Sequence, residues 1–175
     1  VYPVMDAVGT HIQVAYPVKD YLQYADSAGV ELISNYDSLV NQQYKLMGLV
    51  KYNRIPKNRI LSRVNFNYYM FRDGDGVAYM GGEPGNAMAM VADPIRVTMG
   101  DPCWGFSHEV GHVHQLQPLL SCGGLGEVSN NILALYVNKS FGTESRIATQ
   151  DNYSKAKSNI IDAKISYLQD EDNFN

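Results

Sequence analysis

No stretch of this chain is apolar for long enough to cross a bilayer, and no cluster of lysine and arginine is dense enough to grip a row of phosphates. The first absence argues against a membrane span. The second, with 14 basic residues against 18 acidic ones and a net charge of -4, argues against nucleic acid and against docking on an anionic membrane. Cysteine is scarce, with only Cys103 and Cys122. Each lies five residues before a candidate ligand named below, so a bridge tying a helix start to the following loop is one reading and two buried free thiols the plainer other. Spacing alone does not establish bridge geometry. Val1-Tyr2-Pro3-Val4 has neither the basic nor the apolar part of a secretion signal. A start without methionine and a close on Asp170-Glu171-Asp172-Asn173-Phe174-Asn175 lead us to expect a piece of a longer protein, from which any signal has been removed.

What is present fits one globular domain: 175 residues, 45% hydrophobic and 18% charged. Thirteen tyrosines suit a peptide or glycan surface, although tyrosine-rich β structure accounts for many of them. Helical patterns run from Val18 to Ala28 and from Val30 to Leu49, the second with a stripe of Ile33, Tyr36, Val40, Tyr44 and Met47. Alternation then predicts a strand over Arg63 to Phe71, a turn at Arg72 to Gly76, a second strand at Val77 to Met80, and a loop returning to the apolar run Met88 to Ala92. The expected class is α+β, with a small, mostly antiparallel sheet. Residues 1–100 should carry helices and sheet, and residues 101–175 should be mainly helical. Asp101-Pro102 reads as the start of a helix reaching about Leu116. A second helix spans Glu127 to Phe141 and closes at Gly142, and a last one runs from about Asn152 to Leu168.

His108-Glu109-Val110-Gly111-His112 carries the chemistry, because it is HExxH. On a helix, positions four apart share a face, so both imidazoles can converge on one Zn²⁺ while Glu109 works on a water beside them. Catalytic zinc typically takes three protein ligands and keeps a fourth position for water. Glu127 is the best third ligand: it opens the next helix, which a helix-loop-helix turn brings back over the histidines. Asp101 is too close in sequence to fold back, and Glu144 lies beyond the helix-ending glycine. Gly111 costs about 1 kcal/mol inside a helix unless something needs its backbone bare, so a close neighbour is expected there. His114 lies about 200° around the helix from His112 and faces away from the metal, as a structural or surface group. His11, alone upstream, gets the same reading. Asn130 and Asn131 can share the face of Glu127 and bond a ligand's free nitrogen or oxygen; Asn131 is favoured, and ordinary first-turn polarity is the competing account. Five-residue patterns also arise by accident, and a glutamate at a helix N-terminus serves the macrodipole without any metal.

The run Trp104-Gly105-Phe106-Ser107-His108-Glu109-Val110-Gly111-His112-Val113-His114-Gln115, then Glu127-Val128-Ser129-Asn130-Asn131 and Leu135-Tyr136-Val137, resembles the enhancin-like zinc metallopeptidases. That family includes viral enhancins and bacterial mucin-degrading proteases. The resemblance covers residues 5 to 141 and implies a zincin-like core of gluzincin type, with Zn²⁺ on His108, His112 and Glu127 and with Glu109 as base. Tyr79-Met80-Gly81-Gly82-Glu83-Pro84-Gly85 resembles the family's glycine-rich segment ahead of the motif helix. A strand edge at Tyr79 to Glu83 is therefore expected to align substrate, with Tyr79, Gly81, Gly82 and Glu83 as substrate-binding residues; a plain hairpin turn competes. Tyr136, Tyr153 and Tyr167 are unassigned alternatives for the oxyanion-stabilising donor, with packed helix tyrosines or a group beyond Asn175 as the competing accounts. The implied substrates are extracellular glycoproteins with mucin-type O-glycans, and the implied location is secreted or cell-surface. Family catalytic modules are longer than this chain and often carry carbohydrate-binding domains. Two rival readings are a glycoprotein-binding module that does not cut and a metal-free helical domain.

Overall fold

The computed structural model of the chain describes residues 3–81, 87–115 and 125–164. Five strands, β1 Val4–Val8, β2 Ile12–Pro17, β3 Ile60–Asn65, β4 Met70–Asp73 and β5 Gly76–Met80, form one sheet in the order β1-β2-β3-β5-β4. The α-helices among the described residues are α1 Val18–Tyr24, α2 Gly29–Leu46, α3 Ala87–Ala92, α4 Gly100–His114, α5 Gly126–Ser140, α6 Arg146–Thr149 and α7 Asn152–Ala156. The class is α+β, as expected. The sheet, however, is mixed: β1–β2 and β4–β5 pair antiparallel, whereas β2–β3 and β3–β5 pair parallel. The parallel β2–β3 pair follows from α1 and α2, which carry the chain back across the sheet before β3.

Ile12, Val14 and Tyr16 of β2, Ile60 of β3, and Val77 and Tyr79 of β5 point the same way into the core. They meet Leu32, Tyr36, Leu39, Val40 and Tyr44 of α2 and Cys103, Phe106 and Val110 of α4. Tyr36 packs on Phe106 at 4.6 Å between ring centroids and donates its hydroxyl to the Val91 carbonyl at 2.8 Å. The Tyr16 hydroxyl donates to the same carbonyl at 3.4 Å, so two buried tyrosines share this acceptor near the end of α3. The stripe of α2 therefore differs in detail from the periodicity reading: Leu32 and Gln43 are buried, while Ile33 is only partly buried and Met47 lies beyond the helix.

Three further differences have physical causes. Met88 to Ala92 is helix rather than returning strand; all six residues of α3 are buried, so no period distinguishes the two forms. Helix α4 begins at Gly100, with Met99 in the cap position and no side-chain cap; Asp101 instead faces Arg146 at 3.7 Å. The last helical stretch starts at Asn152 as expected, behind Asp151 at φ 55, but passes from α7 into a π-helical turn over Lys157–Asp162, and its expected end at Leu168 lies outside the described residues. No described helix is long and apolar enough to cross a membrane.

Cys103 is a free thiol with no exposed surface, 4.0 Å from the Ser107 hydroxyl, and burial pushes its pKa up to about 12. Cys122 lies outside the described residues. In a Cys122→Ser protein, a thiol reagent at pH 8 should find no reactive group until denaturant is added and one thereafter. Rapid labelling of the native protein would contradict this burial.

Candidate metal centre

Helices α4 and α5 pack against each other, and Gly111 sits at a close approach between them. A Cβ built there would lie 2.8 Å from the Asn130 carbonyl oxygen and 3.1 Å from the Asn130 Cβ. This is the close neighbour expected from a glycine inside the motif helix. The approach brings the first turn of α5 over His108 and His112, whose rings sit 4.8 Å apart and perpendicular. Each Nε2 lies 3.1 Å from the same Glu127 oxygen, Oε2. The ligand atoms of the three residues all fall within 4.8 Å of one another.

Both imidazole tautomers follow from their neighbours. Asn131 donates from Nδ2 to the Glu127 carbonyl at 2.6 Å, so its Oδ1 must be the atom 2.6 Å from His108 Nδ1. Gln115 donates from Nε2 to the Gly126 carbonyl and to Ser129 Oγ at 2.8 Å, which turns its Oε1 toward His112 Nδ1 at 2.9 Å. Both Nδ1 atoms therefore carry protons, and in the neutral rings both Nε2 lone pairs face the Glu127 carboxylate. Three electron-rich atoms aimed at one point need a cation or extra protons between them. The donor set, two imidazole nitrogens and one carboxylate oxygen, suits Zn²⁺. Asn130, fully buried, approaches from the other side, with Nδ2 2.9 Å from His112 Nε2 and 3.3 Å from the His108 carbonyl. A cation on Nε2 would compete with that amide, which keeps the carbonyl as its second acceptor.

Glu109 lies beside this cluster in an open cleft lined by Met70, Phe71, Arg72, His108, Glu109, His112 and Glu127. Burial raises its carboxyl above the ordinary value; the nearby His108 and His112 and the Arg72 main-chain amide pull the other way. Strand β4 supplies the opposite wall and forms one edge of the sheet. Because Tyr69 accepts from Met80 across the pair, alternation turns the N–H and C=O of Met70 and Arg72 outward, toward the cleft side.

The structure thus brings together His108, Glu109, His112, Glu127 and Asn131, with Asn130, the other asparagine considered, also at the site, and it adds Gln115. Gln115 had a sequence signal, its i+3 position after His112, which the motif reading did not use. Tyr79 and Gly81 fall elsewhere, contrary to their expected role. Strand β5 is paired on both sides and is not an edge, Tyr79 is buried with its hydroxyl on the Ala15 carbonyl, and a Cβ at Gly81 would strike the Val64 side chain at 2.4 Å. Gly82, Glu83 and Tyr167 lie outside the described residues, and Tyr136 and Tyr153 do not line the cleft. His114 faces the core, where its Nδ1 meets Gln43 Oε1 at 2.7 Å and burial holds its pKa down to about 4. His11 packs edge-on against Tyr44 at 5.4 Å.

An α+β layer bearing HExxH on one helix and a facing carboxylate on the next has the make-up of a metallopeptidase. More closely, the chain belongs to the family described as peptidase M60, enhancin and enhancin-like, whose model matches residues 1–172. Among solved structures, a functionally unknown conserved protein from Bacillus anthracis str. Ames is similar at 25% identity and TM-score 0.78, over 89% of this chain and 32% of that one. A metallopeptidase from Bacteroides thetaiotaomicron shares 20% identity at TM-score 0.71, over 83% of this chain and 24% of that one. A metallopeptidase in complex with Tn antigen shares 22% at TM-score 0.69, over 83% and 26%. At those identities the last two show the fold alone. The chain spans about a third or less of the length of these solved proteins. No curated protein matches it.

Proposed function

We propose that this chain is the metal-bearing catalytic domain of a zinc-dependent endopeptidase that cleaves extracellular glycoproteins, with O-glycosylated, mucin-type chains as the substrate class. The observation that carries the metal assignment is the convergence of two tautomer-fixed Nε2 atoms on Glu127 Oε2. His108, His112 and Glu127 would hold the ion, which supplies a Lewis acid and makes water acidic enough to attack at neutral pH. Asn131 and Gln115 hold the histidine rings in place, as outer partners of metal ligands generally do. Glu109 takes a proton from the attacking water at its carboxylate and returns it to the leaving amine nitrogen. The outward N–H and C=O of Met70 on β4 can pair with an extended substrate strand, which gives the edge role expected of Tyr79 to Glu83 to β4 instead. The glycoprotein part of the proposal draws on the family and on the neighbour complexed with Tn antigen, and a location outside the cell or on its surface is proposed along with it.

Metal analysis of the purified chain, paired with cleavage of a Tn-bearing glycopeptide and its unmodified counterpart, tests these statements. One zinc per chain and cleavage of the glycopeptide alone are expected. No zinc would overturn the metal assignment; equal cleavage of both peptides would overturn the glycan requirement. A second reading is a module that binds glycoprotein without cutting. Zinc and glycopeptide binding without cleavage would establish it.

A further inference from the structure

Gln43 of α2 has no exposed surface, an environment that ordinarily selects an apolar side chain. Its amide is oriented without ambiguity. The Ser107 carbonyl can only accept, so Gln43 donates to it from Nε2 at 2.8 Å. Its Oε1 is then the atom facing His114 Nδ1 at 2.7 Å, and that nitrogen carries the proton. Ser107 and His114 lie two turns apart on nearly one face of α4, with HExxH between them. Gln43 therefore grips the motif helix on both sides of the motif, from the core. Tyr44 backs the grip, its ring 5.0 Å from that of His114.

The grip matters because of what apolar packing leaves undefined. Core contacts along α4 are non-directional, whereas two hydrogen bonds to separate points on one helix fix its rotation. With side chains reaching about 5–6 Å from a helix axis, a rotation of about 10° displaces their tips by on the order of 1 Å. That exceeds the tolerance of about 0.5 Å that a binding constellation permits. We infer that Gln43 is a positioning residue for the metal centre, setting the rotation of α4 through Ser107 and His114 so that His108 and His112 converge on Glu127. The inference rests on the metal reading above.

The test compares the full chain with Gln43→Met, which keeps length and volume but can make neither bond. Zinc affinity is measured against a competing chelator, the visible spectrum of the Co²⁺-loaded protein reports ligand geometry, and the melting temperature is recorded without metal. The variant is expected to bind zinc about tenfold more weakly, in the range typical of lost outer partners, with an altered Co²⁺ spectrum. A lower metal-free melting temperature with unchanged zinc affinity and spectrum would mean core packing only and would overturn the inference. If Gln43→Met fails to fold, His114→Phe decides by the same readouts, since it keeps a ring against Tyr44 and removes one hydrogen bond. Weaker binding and a changed spectrum support the role, and wild-type values overturn it. Absence of metal in the wild type would bring down the metal reading and this inference with it; wild-type binding in every variant would bring down the inference alone.

Discussion

Glu109→Gln should bind zinc as the wild type does and cleave about 10²–10⁴-fold more slowly, the usual worth of a positioned general base. The substitution is nearly isosteric, and its amide oxygen can still face the Arg72 main-chain amide that lies beside the carboxylate in the native cleft. His108, His112 and Glu127 are untouched, so metal content should not change. What is lost is the atom that receives a proton from water. Burial makes that atom a stronger base than an exposed glutamate, while its position on the cleft wall keeps it within reach of a substrate lying along β4. Metal content and kcat/KM measured on one preparation check the prediction. Unchanged turnover with full zinc would remove Glu109 from the mechanism. Loss of both would show that Glu109 supports the fold of the centre rather than the chemistry.

The local parts of the site were legible in the sequence because helical spacing is a local rule. His108 and His112 share a face by geometry, Gly111 announced a close approach, and Glu127 followed from a single helix-loop-helix return. The sheet was less legible. Ile12, Val14 and Tyr16 alternate cleanly over only six residues, a short signal for β2; β1, with its edge position and exposed Val4 and Val8, offers little pattern at all. The parallel pairing of β3 with β5 depends on β4 being passed to the outside, which no residue in the Arg72 to Gly76 turn encodes. The sheet edge beside the site is β4 rather than the segment at Tyr79 to Glu83 for the same reason: strand order decides which strand is an edge, and strand order is non-local. Gln43 lay within a helix read correctly, yet its partners are 64 and 71 residues away. Periodicity reports which face is buried and says nothing about a polar residue on that face.

Two glycines of α4 should respond to alanine with opposite signs. At Gly105 a Cβ would meet nothing within 4 Å, so Gly105→Ala gains helix propensity, up to about 1 kcal/mol, at no steric cost. At Gly111 the same gain opposes a 2.8 Å contact with a main-chain oxygen of α5, which cannot rotate aside as a side chain would. Restoring ordinary contact requires the helices to separate by on the order of half an ångström, and overpacking of this kind costs about 1–3 kcal/mol. The net effect is destabilisation by about 1–2 kcal/mol, a fall in melting temperature of about 2–8 °C for a chain of this size. The displacement also acts on the metal centre, since His108 and His112 ride on α4 while Glu127, Asn130 and Asn131 ride on α5. Gly111→Ala should therefore weaken zinc binding about tenfold as well, within the range for disturbed outer partners, whereas Gly105→Ala leaves it alone. Thermal unfolding and zinc titration of the two variants side by side check this. A rise in melting temperature for both would mean that α4 and α5 are free to adjust at Gly111, and the close approach would no longer explain how three ligands from two helices come to a common point.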